Sequence, residues 1–239
     1  MPLGLVLYIE RVRETRAFQI FVRFWRPDWE ALAAVLRLGA PIALTLWAEV
    51  GLFAAAAVLM GMIDTNALAA HGIALQIISV LYMVPYGLGQ AATVRVGHAF
   101  GRADPEAIRR AGWSAAALTL CFAIASAILL MALPEVLILA FLDPDNPDTA
   151  AILAVGVPLL IVAAGFQLFD MVQVTAISLL RGLGDTALPM AIAVFSYWGV
   201  GLPVAYALAF PMNLAGPGVW GGMAAGRAFA AVLLTARFH

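Results

Sequence analysis

Residues Leu38–Met60 read LGAPIALTLWAEVGLFAAAAVLM, a stretch in which Glu49 is the single charged residue. A helix needs roughly 20 apolar residues to cross the hydrocarbon core of a bilayer, which is about 30 Å thick. Five further stretches of this kind follow along the chain: Ala67–Val94, Gly112–Leu133, Thr149–Leu180, Ala187–Phe210 and Gly218–Ala236. The sequence therefore predicts an all-α membrane protein with six transmembrane helices.

The composition of the whole chain favours the same class. Of its 239 residues, 64% are hydrophobic and 11% are charged, and the mean hydropathy is +0.98. A soluble domain is roughly 45–50% apolar and about 25% charged. The formal net charge of -1 does not indicate a nucleic-acid partner, which would favour a basic chain. Since the sequence also lacks the motifs of zinc proteases, α/β-hydrolases and P-loop proteins, we expect no enzyme, no metal site and no organic cofactor.

The arginines predict the orientation, because positively charged loops stay on the cytoplasmic side of a membrane. All 13 basic residues are arginines. If the six spans alternate in direction, every arginine except Arg227 precedes the first span or lies in a connection on one side. The connections on the other side carry acids instead: Asp64, Glu135, Asp143, Asp145 and Asp148. Both ends of the six-span segment are therefore predicted to be cytoplasmic.

We predict two regions, residues 1–37 and residues 38–239, of which the second is the six-helix lobe. Residues 1–9, MPLGLVLYI, are too short to span, and no basic stretch precedes them as in a signal peptide. We interpret them as the end of a helix whose beginning is missing. The arginines and aromatic residues up to position 37 form a connector that lies either in the headgroup region or in the cytoplasm.

Two acids lie within predicted spans. Glu49 is near the middle of the first, and Asp170 is in the fourth with Gln167 three residues before it and Gln173 three residues after it. An ionised carboxylate at this depth is costly, so it is protonated, paired with a cation or facing water. A carboxylate flanked by amide oxygens suits a proton or a small hard cation. The alternative is a structural one, in which these groups hydrogen-bond neighbouring helices.

Other residues are candidates for the lining of a cavity, because aromatic rings attract organic cations and methionines adapt to varied ligands. Interfacial aromatic belts and core packing are the alternatives. Gly218, Gly222 and Gly226 form a stripe that predicts close helix packing. Arg227, near the middle of the last span, snorkels, pairs with Asp170 or Glu49, or shows that the span is displaced. The candidate lining residues are Thr45, Gln76, Tyr82, Gln167, Met171, Gln173 and Tyr197.

Six segments, taken in order, resemble one membrane transporter family over almost the whole chain. They are LRLGAPIALTLWAEVGLFAAAAVLMG (Leu36–Gly61), TNALAAHGIALQI (Thr65–Ile77), MVPYGLGQAATVRVGHAFGRAD (Met83–Asp104), FLDPDNPD (Phe141–Asp148), SLLRGLGDTALPM (Ser178–Met190) and YWGVGLPVAYAL (Tyr197–Leu208). The family is that of multidrug and toxic compound extrusion (MATE) transporters. The resemblance runs from the end of the family's sixth helix through its twelfth.

The resemblance implies a cation-coupled antiporter of the bacterial inner (plasma) membrane. Its partners would be the lipid bilayer, organic and often cationic drugs, and either a missing N-terminal lobe or a second copy of this chain. Glu49 and Asp170 match the carboxylates that the family uses in this lobe for coupling to a proton or a sodium ion. Phe166 stands where sodium-linked members often have a tyrosine, which favours protons. We expect a truncated C-terminal half; the alternatives are a half-size homodimeric transporter and a membrane scaffold without transport.

Overall fold

The structure, a computed structural model, describes residues 27–142 and 147–238, and within these ranges the chain is helical. The predicted helix end at residues 1–9, most of the connector, and Asp143 and Asp145 lie outside the described residues. The division between residues 37 and 38 therefore stays a prediction. The helices are α1 (Trp29–Ile63), α2 (Thr65–Gly101), α3 (Pro105–Ala132), α4 (Pro134–Leu139), α5 (Thr149–Gly182), α6 (Ala187–Val194), α7 (Leu202–Ala209) and α8 (Ala215–Phe238), with a π-helical segment, Phe195–Gly201, between α6 and α7.

Six helical segments in the described ranges are long and apolar enough to cross a membrane, which confirms the predicted fold class. They are α1, α2, α3, α5, the continuous segment Ala187–Ala209 and α8. We call Ala187–Ala209 the fifth span. Several helices extend beyond the predicted stretches, because hydropathy marks the hydrocarbon-spanning part whereas backbone hydrogen bonding continues into the polar flanks. α1, for example, begins at Trp29 rather than at Leu38.

Local side chains set several helix ends. Asp64 is the one residue between α1 and α2, and its carboxylate accepts a hydrogen bond from the next backbone N–H at 2.7 Å. Asp104 caps α3 by accepting from the N–H three residues later at 2.9 Å. After α5, Gly184 adopts φ +78°, the left-handed conformation that ends many helices. These connections join successive spans through only a few residues.

The fifth span, predicted as an apolar stretch at Ala187–Phe210, contains the π-helical segment. In the π-helical segment the N–H of Leu202 bonds to the carbonyl of Tyr197, five residues back. Pro203 follows directly and has no N–H to donate to the carbonyl four residues before it. The hydrogen-bond register shifts here, and such π segments frequently occur at functional sites.

α5 is the central helix of the bundle and packs against α2, α3 and α8. Its C-terminal half is buried on nearly all sides from Met171 to Leu180. The outer helices instead expose large apolar side chains, among them Trp47 on α1 and Val80 on α2. This pattern, with apolar side chains outside as well as inside, is that of a bundle surrounded by lipid.

The glycine stripe of α8 packs against the fifth span, as predicted. A Cβ atom on Gly222 would lie 2.1 Å from the backbone nitrogen of Ala205. One on Gly218 would lie 2.7 Å from the carbonyl carbon of Leu208, and one on Gly226 would lie 2.7 Å from a backbone oxygen. The two backbones are therefore in direct contact, which no residue with a side chain would permit.

We expect Gly222→Ala to destabilise the bundle by about 1–3 kcal/mol, because the added methyl group forces α8 away from the fifth span. Gly165→Ala is the matched control, since a Cβ there meets nothing within 4 Å. The control should gain up to about 1 kcal/mol from helix propensity. Thermal unfolding of the purified protein in detergent measures both. A Gly222→Ala protein that melts at or above the wild-type temperature would contradict this packing.

Candidate functional site at Arg227

Arg227 lies on α8 with its side chain fully buried, and it organises a polar site inside the bundle. The preceding residue, Gly226, lets α8 approach the π-helical segment at Gly201. That approach brings the guanidinium beside Tyr197, to whose hydroxyl Nη1 donates a hydrogen bond of 2.7 Å. The π-helical segment and the glycine stripe together thus position the first contact of the site.

Both predicted acids pair with Arg227. Nη2 donates to Oε1 of Glu49 at 2.8 Å, and Nη1 lies 3.0 Å from Oδ1 of Asp170. The Asp170 oxygen accepts no hydrogen bond in the described residues, so this second contact is an ion pair without hydrogen-bond alignment. Of the alternatives for Arg227, the structure shows pairing, and with both acids at once.

Gln173 completes the polar contacts on the Asp170 side. Its side-chain oxygen accepts from Nη1 of Arg227 at 3.4 Å, and its amide nitrogen donates to the hydroxyl of Tyr197. We call these five residues, Glu49, Asp170, Gln173, Tyr197 and Arg227, the charge cluster. They come from α1, α5, the π-helical segment and α8, so the charge cluster joins four of the six spans.

Three aromatic rings surround the guanidinium. Its central carbon lies 4.4 Å from the ring centre of Tyr197 and 5.6 Å from those of Phe53 and Phe166. Ring faces attract cations, and most strongly where water is excluded. Phe166 is held in turn by an edge-to-face contact with Trp220, with ring centres 5.3 Å apart. The position of Phe166 therefore offers a ring face to a cation and no oxygen atom.

The three charged side chains differ in exposure, and this difference gives the charge cluster an open side. The side chain of Glu49 is 16% exposed, that of Asp170 is 3% exposed and that of Arg227 is fully buried. With all three ionised, two negative charges face one positive charge and the sum is -1. A buried charge needs compensation, so one further monovalent cation or proton would neutralise the charge cluster.

Two of the predicted lining residues form no hydrogen bond with the charge cluster. The hydroxyl of Thr45 donates instead to the carbonyl of Pro41 at 2.9 Å. Such bonding to the carbonyl four residues back is common for threonine within helices. Gln167 lies fully buried one turn before Asp170, and its amide atoms form no hydrogen bond with the described residues.

The remaining predicted lining residues form no hydrogen bond with the charge cluster in the described ranges. Gln76 is exposed on α2, Met171 is buried in the core, and half-buried Tyr82 stacks on Tyr86 with ring centres 5.9 Å apart. Their part in a cavity stays a prediction. The sequence reasoning missed Phe53, although its spacing of four residues from Glu49 places both on one face of α1.

A separate cavity of about 550 Å³ lies between α3, α5 and α8. Its walls include the hydrogen-bonded pair Thr119 and Thr175, whose hydroxyl oxygens are 3.0 Å apart. Arg109 and Trp113 also border it. None of its lining residues belongs to the charge cluster, so the bundle contains two distinct features rather than one continuous site.

Six apolar spans that enclose two acids and an arginine define a multi-pass membrane protein with a charged site at membrane depth. The family model described as MatE matches residues 41–207. The chain therefore belongs to the MATE family. Together with its bacterial relatives, the six spans establish it as a multi-pass protein of the bacterial inner membrane.

The relatives have names that concern drug resistance. The chain is 50% identical over 234 residues to the probable multidrug resistance protein NorM of Agrobacterium fabrum, covering 98% of this chain and 50% of that protein. It is 48% identical over 239 residues to the protein of the same name from Brucella suis, covering 100% of this chain and 51% of that protein. The chain thus spans about half the length of the curated relatives it matches.

Solved structures share the fold at lower identity. The crystal structure of the eukaryotic MATE transporter AtDTX14 superposes with a TM-score of 0.84 at 22% identity, over 98% of this chain and 51% of that chain. A MATE in complex with MaL6 gives a TM-score of 0.82 at 20% identity, over 92% of this chain and 49% of that chain. These similarities support the six-helix lobe as a fold.

We expect Arg227→Met to destabilise the protein by about 3–5 kcal/mol, because it leaves Asp170 buried without a counter-ion. Arg237→Met is the matched control. Arg237 pairs with Asp185 at 3.2 Å, but the two side chains are 52% and 26% exposed, so its loss should cost less than about 1 kcal/mol. Unfolding in detergent measures both variants. Equal losses for the two would show that the buried pairing contributes no more than a surface ion pair.

Proposed function

We propose that this chain acts as the C-terminal lobe of a cation-coupled exporter of organic, often cationic drugs. The observation that carries the proposal is a buried acid pair whose one open side is Glu49. Intramembrane acids are expensive and usually functional. The names of the NorM relatives favour drugs as the exported class.

Coupling requires that the ion and the drug favour different states of the transporter. An ion drives export only if it binds one conformation more tightly than the other. The charge cluster supplies such a difference in this proposal, because neutralising an acid weakens the contacts that hold α1, α5 and α8 together at Arg227. Glu49 and Asp170 are then the coupling groups, and the drug and the ion compete for them.

The coupling ion in this proposal is a proton rather than a sodium ion. Sodium needs several oxygen ligands at short distance, as hard cations do. Phe166 contributes a ring face instead of an oxygen, and Arg227 already contacts one oxygen of each acid. A proton needs a single carboxylate oxygen and leaves these neighbours in place.

Export also needs a second lobe in this proposal. The relatives are about twice as long as this chain, so an N-terminal lobe like theirs is the proposed partner.

We expect Glu49→Gln and Asp170→Asn each to abolish efflux in a full-length transporter, made by joining this chain to the N-terminal half of the Agrobacterium fabrum relative. Each substitution removes a titratable group and keeps the shape of the side chain. Ethidium extrusion from cells is the measurement, and Glu135→Gln, outside the charge cluster, is the control that should stay active. Wild-type extrusion by both variants would refute the coupling roles.

The lobe requirement is tested by expressing this chain alone and together with that N-terminal half as a separate polypeptide. We expect ethidium extrusion with the two halves together and none with this chain alone, because the relatives are about twice as long as this chain. Membrane levels of the chain, measured by immunoblot, control for expression. Extrusion by this chain alone would contradict the proposed partner and favour two copies of the chain.

A further inference from the structure

The geometry points to a division of labour between the two acids: Glu49 alone exchanges the transported charge, whereas Asp170 is the permanent counter-ion of Arg227. This inference rests on the proposed function and deepens it. The proposed function names both carboxylates as coupling groups without dividing their tasks. The structure gives them different surroundings, and these surroundings assign each a different task.

The first difference between the two acids is how far each is exposed. The side chain of Glu49 is 16% exposed, whereas that of Asp170 is 3% exposed and lies on the central helix α5. A substrate cation must lose its hydration water and reach the carboxylate on which it replaces Arg227. Only Glu49 offers an oxygen at the open side of the charge cluster.

The second difference between the two acids is how Arg227 contacts each of them. Nη1 makes all its contacts on the buried side, at 3.0 Å to Asp170, 2.7 Å to Tyr197 and 3.4 Å to Gln173. Nη2, within the described residues, contacts Glu49 alone, at 2.8 Å. Loss of the Glu49 contact therefore leaves the guanidinium anchored, whereas loss of the Asp170 contact leaves its positive charge without its buried partner.

The aromatic rings reinforce this anchoring. The guanidinium carbon lies 4.4 Å from the ring centre of Tyr197 and 5.6 Å from that of Phe166, both on elements other than α1. These rings stabilise the cation in place while Glu49 is occupied by something else. Arg227 therefore stays bound on the Asp170 side of the charge cluster when its contact with Glu49 is lost.

The charge balance determines how many protons are exchanged for each bound drug molecule. Asp170 and Arg227 neutralise each other, which leaves the single negative charge of Glu49. A proton taken from water adds to a Glu49 carboxylate oxygen, and the bound organic monocation leaves. In the reverse direction the cation binds and that proton returns to water. One proton is exchanged for one positive charge of the drug.

The test uses the full-length transporter described above, reconstituted into liposomes, with ethidium as the probe. Asp170→Asn should lower efflux by about tenfold or more, because Glu49 is then the only acid left to balance the buried Arg227 and is not free to exchange a cation. Asp170→Asn combined with Arg227→Gln should recover efflux to within about threefold of wild type, because it neutralises both partners. Asp170→Glu, which keeps the charge, should also retain transport. Glu49→Gln should be inactive, with or without Arg227→Gln.

A second measurement counts protons. The purified transporter is held in weak buffer with a pH dye, at a pH low enough that Glu49 is protonated before binding, while ethidium is added to saturation. We expect release of one proton per bound ethidium from the wild type and from the Asp170→Asn, Arg227→Gln protein, and none from Glu49→Gln. The melting temperature and the yield of each variant separate loss of folding from loss of transport.

The outcomes separate this inference from the function on which it rests. A folded but inactive Asp170→Asn, Arg227→Gln protein, beside an inactive Glu49→Gln protein, would overturn the division of labour and leave the proposed function intact. If the double variant does not fold, proton release that persists in Glu49→Gln overturns the inference, and its disappearance supports it. Wild-type efflux by Glu49→Gln would instead refute the proposed function itself.

Discussion

The positive charge of Arg227, enclosed within a membrane-spanning helix, is the constraint on which the charged interior of this bundle depends. A guanidinium at this depth is stable only with counter-charges and hydrogen-bond acceptors around it. Two acids, a tyrosine hydroxyl, a glutamine and three ring faces meet that requirement. These groups lie on α1, α5, the π-helical segment and α8, so the charge also connects four of the spans.

The packing of α8 makes this arrangement possible. Gly222 and Gly226 remove the side chains that would separate α8 from the fifth span, and the backbones meet there. The π-helical segment, with its register shifted before Pro203, presents Tyr197 at the point of closest approach. The small residues therefore allow the tight packing and also determine where the charged group lies. The site is built on helices rather than on loops.

Much of this fold could be read from the sequence, and part of the site could not. Long apolar runs predict six spans, and Glu49 and Asp170 stand out because charges there are costly. The pairing of Arg227 depends on which helices are neighbours. The residue pattern of a single helix does not specify this. The π-helical segment depends on a local change of hydrogen-bond register, and the Thr45 hydroxyl on a backbone carbonyl of its own helix. The spacing of apolar residues along the sequence predicts neither of these two features.

The central claim is that Arg227 holds both acids when no transported cation is bound. The most direct measurement is a cryo-electron microscopy structure of the full-length transporter without drug, at a pH where the acids are ionised. The account predicts Nη2 of Arg227 on Glu49 and Nη1 on Asp170, at distances close to the 2.8 and 3.0 Å observed here. A guanidinium turned away from both carboxylates, toward lipid or the other lobe, would contradict it.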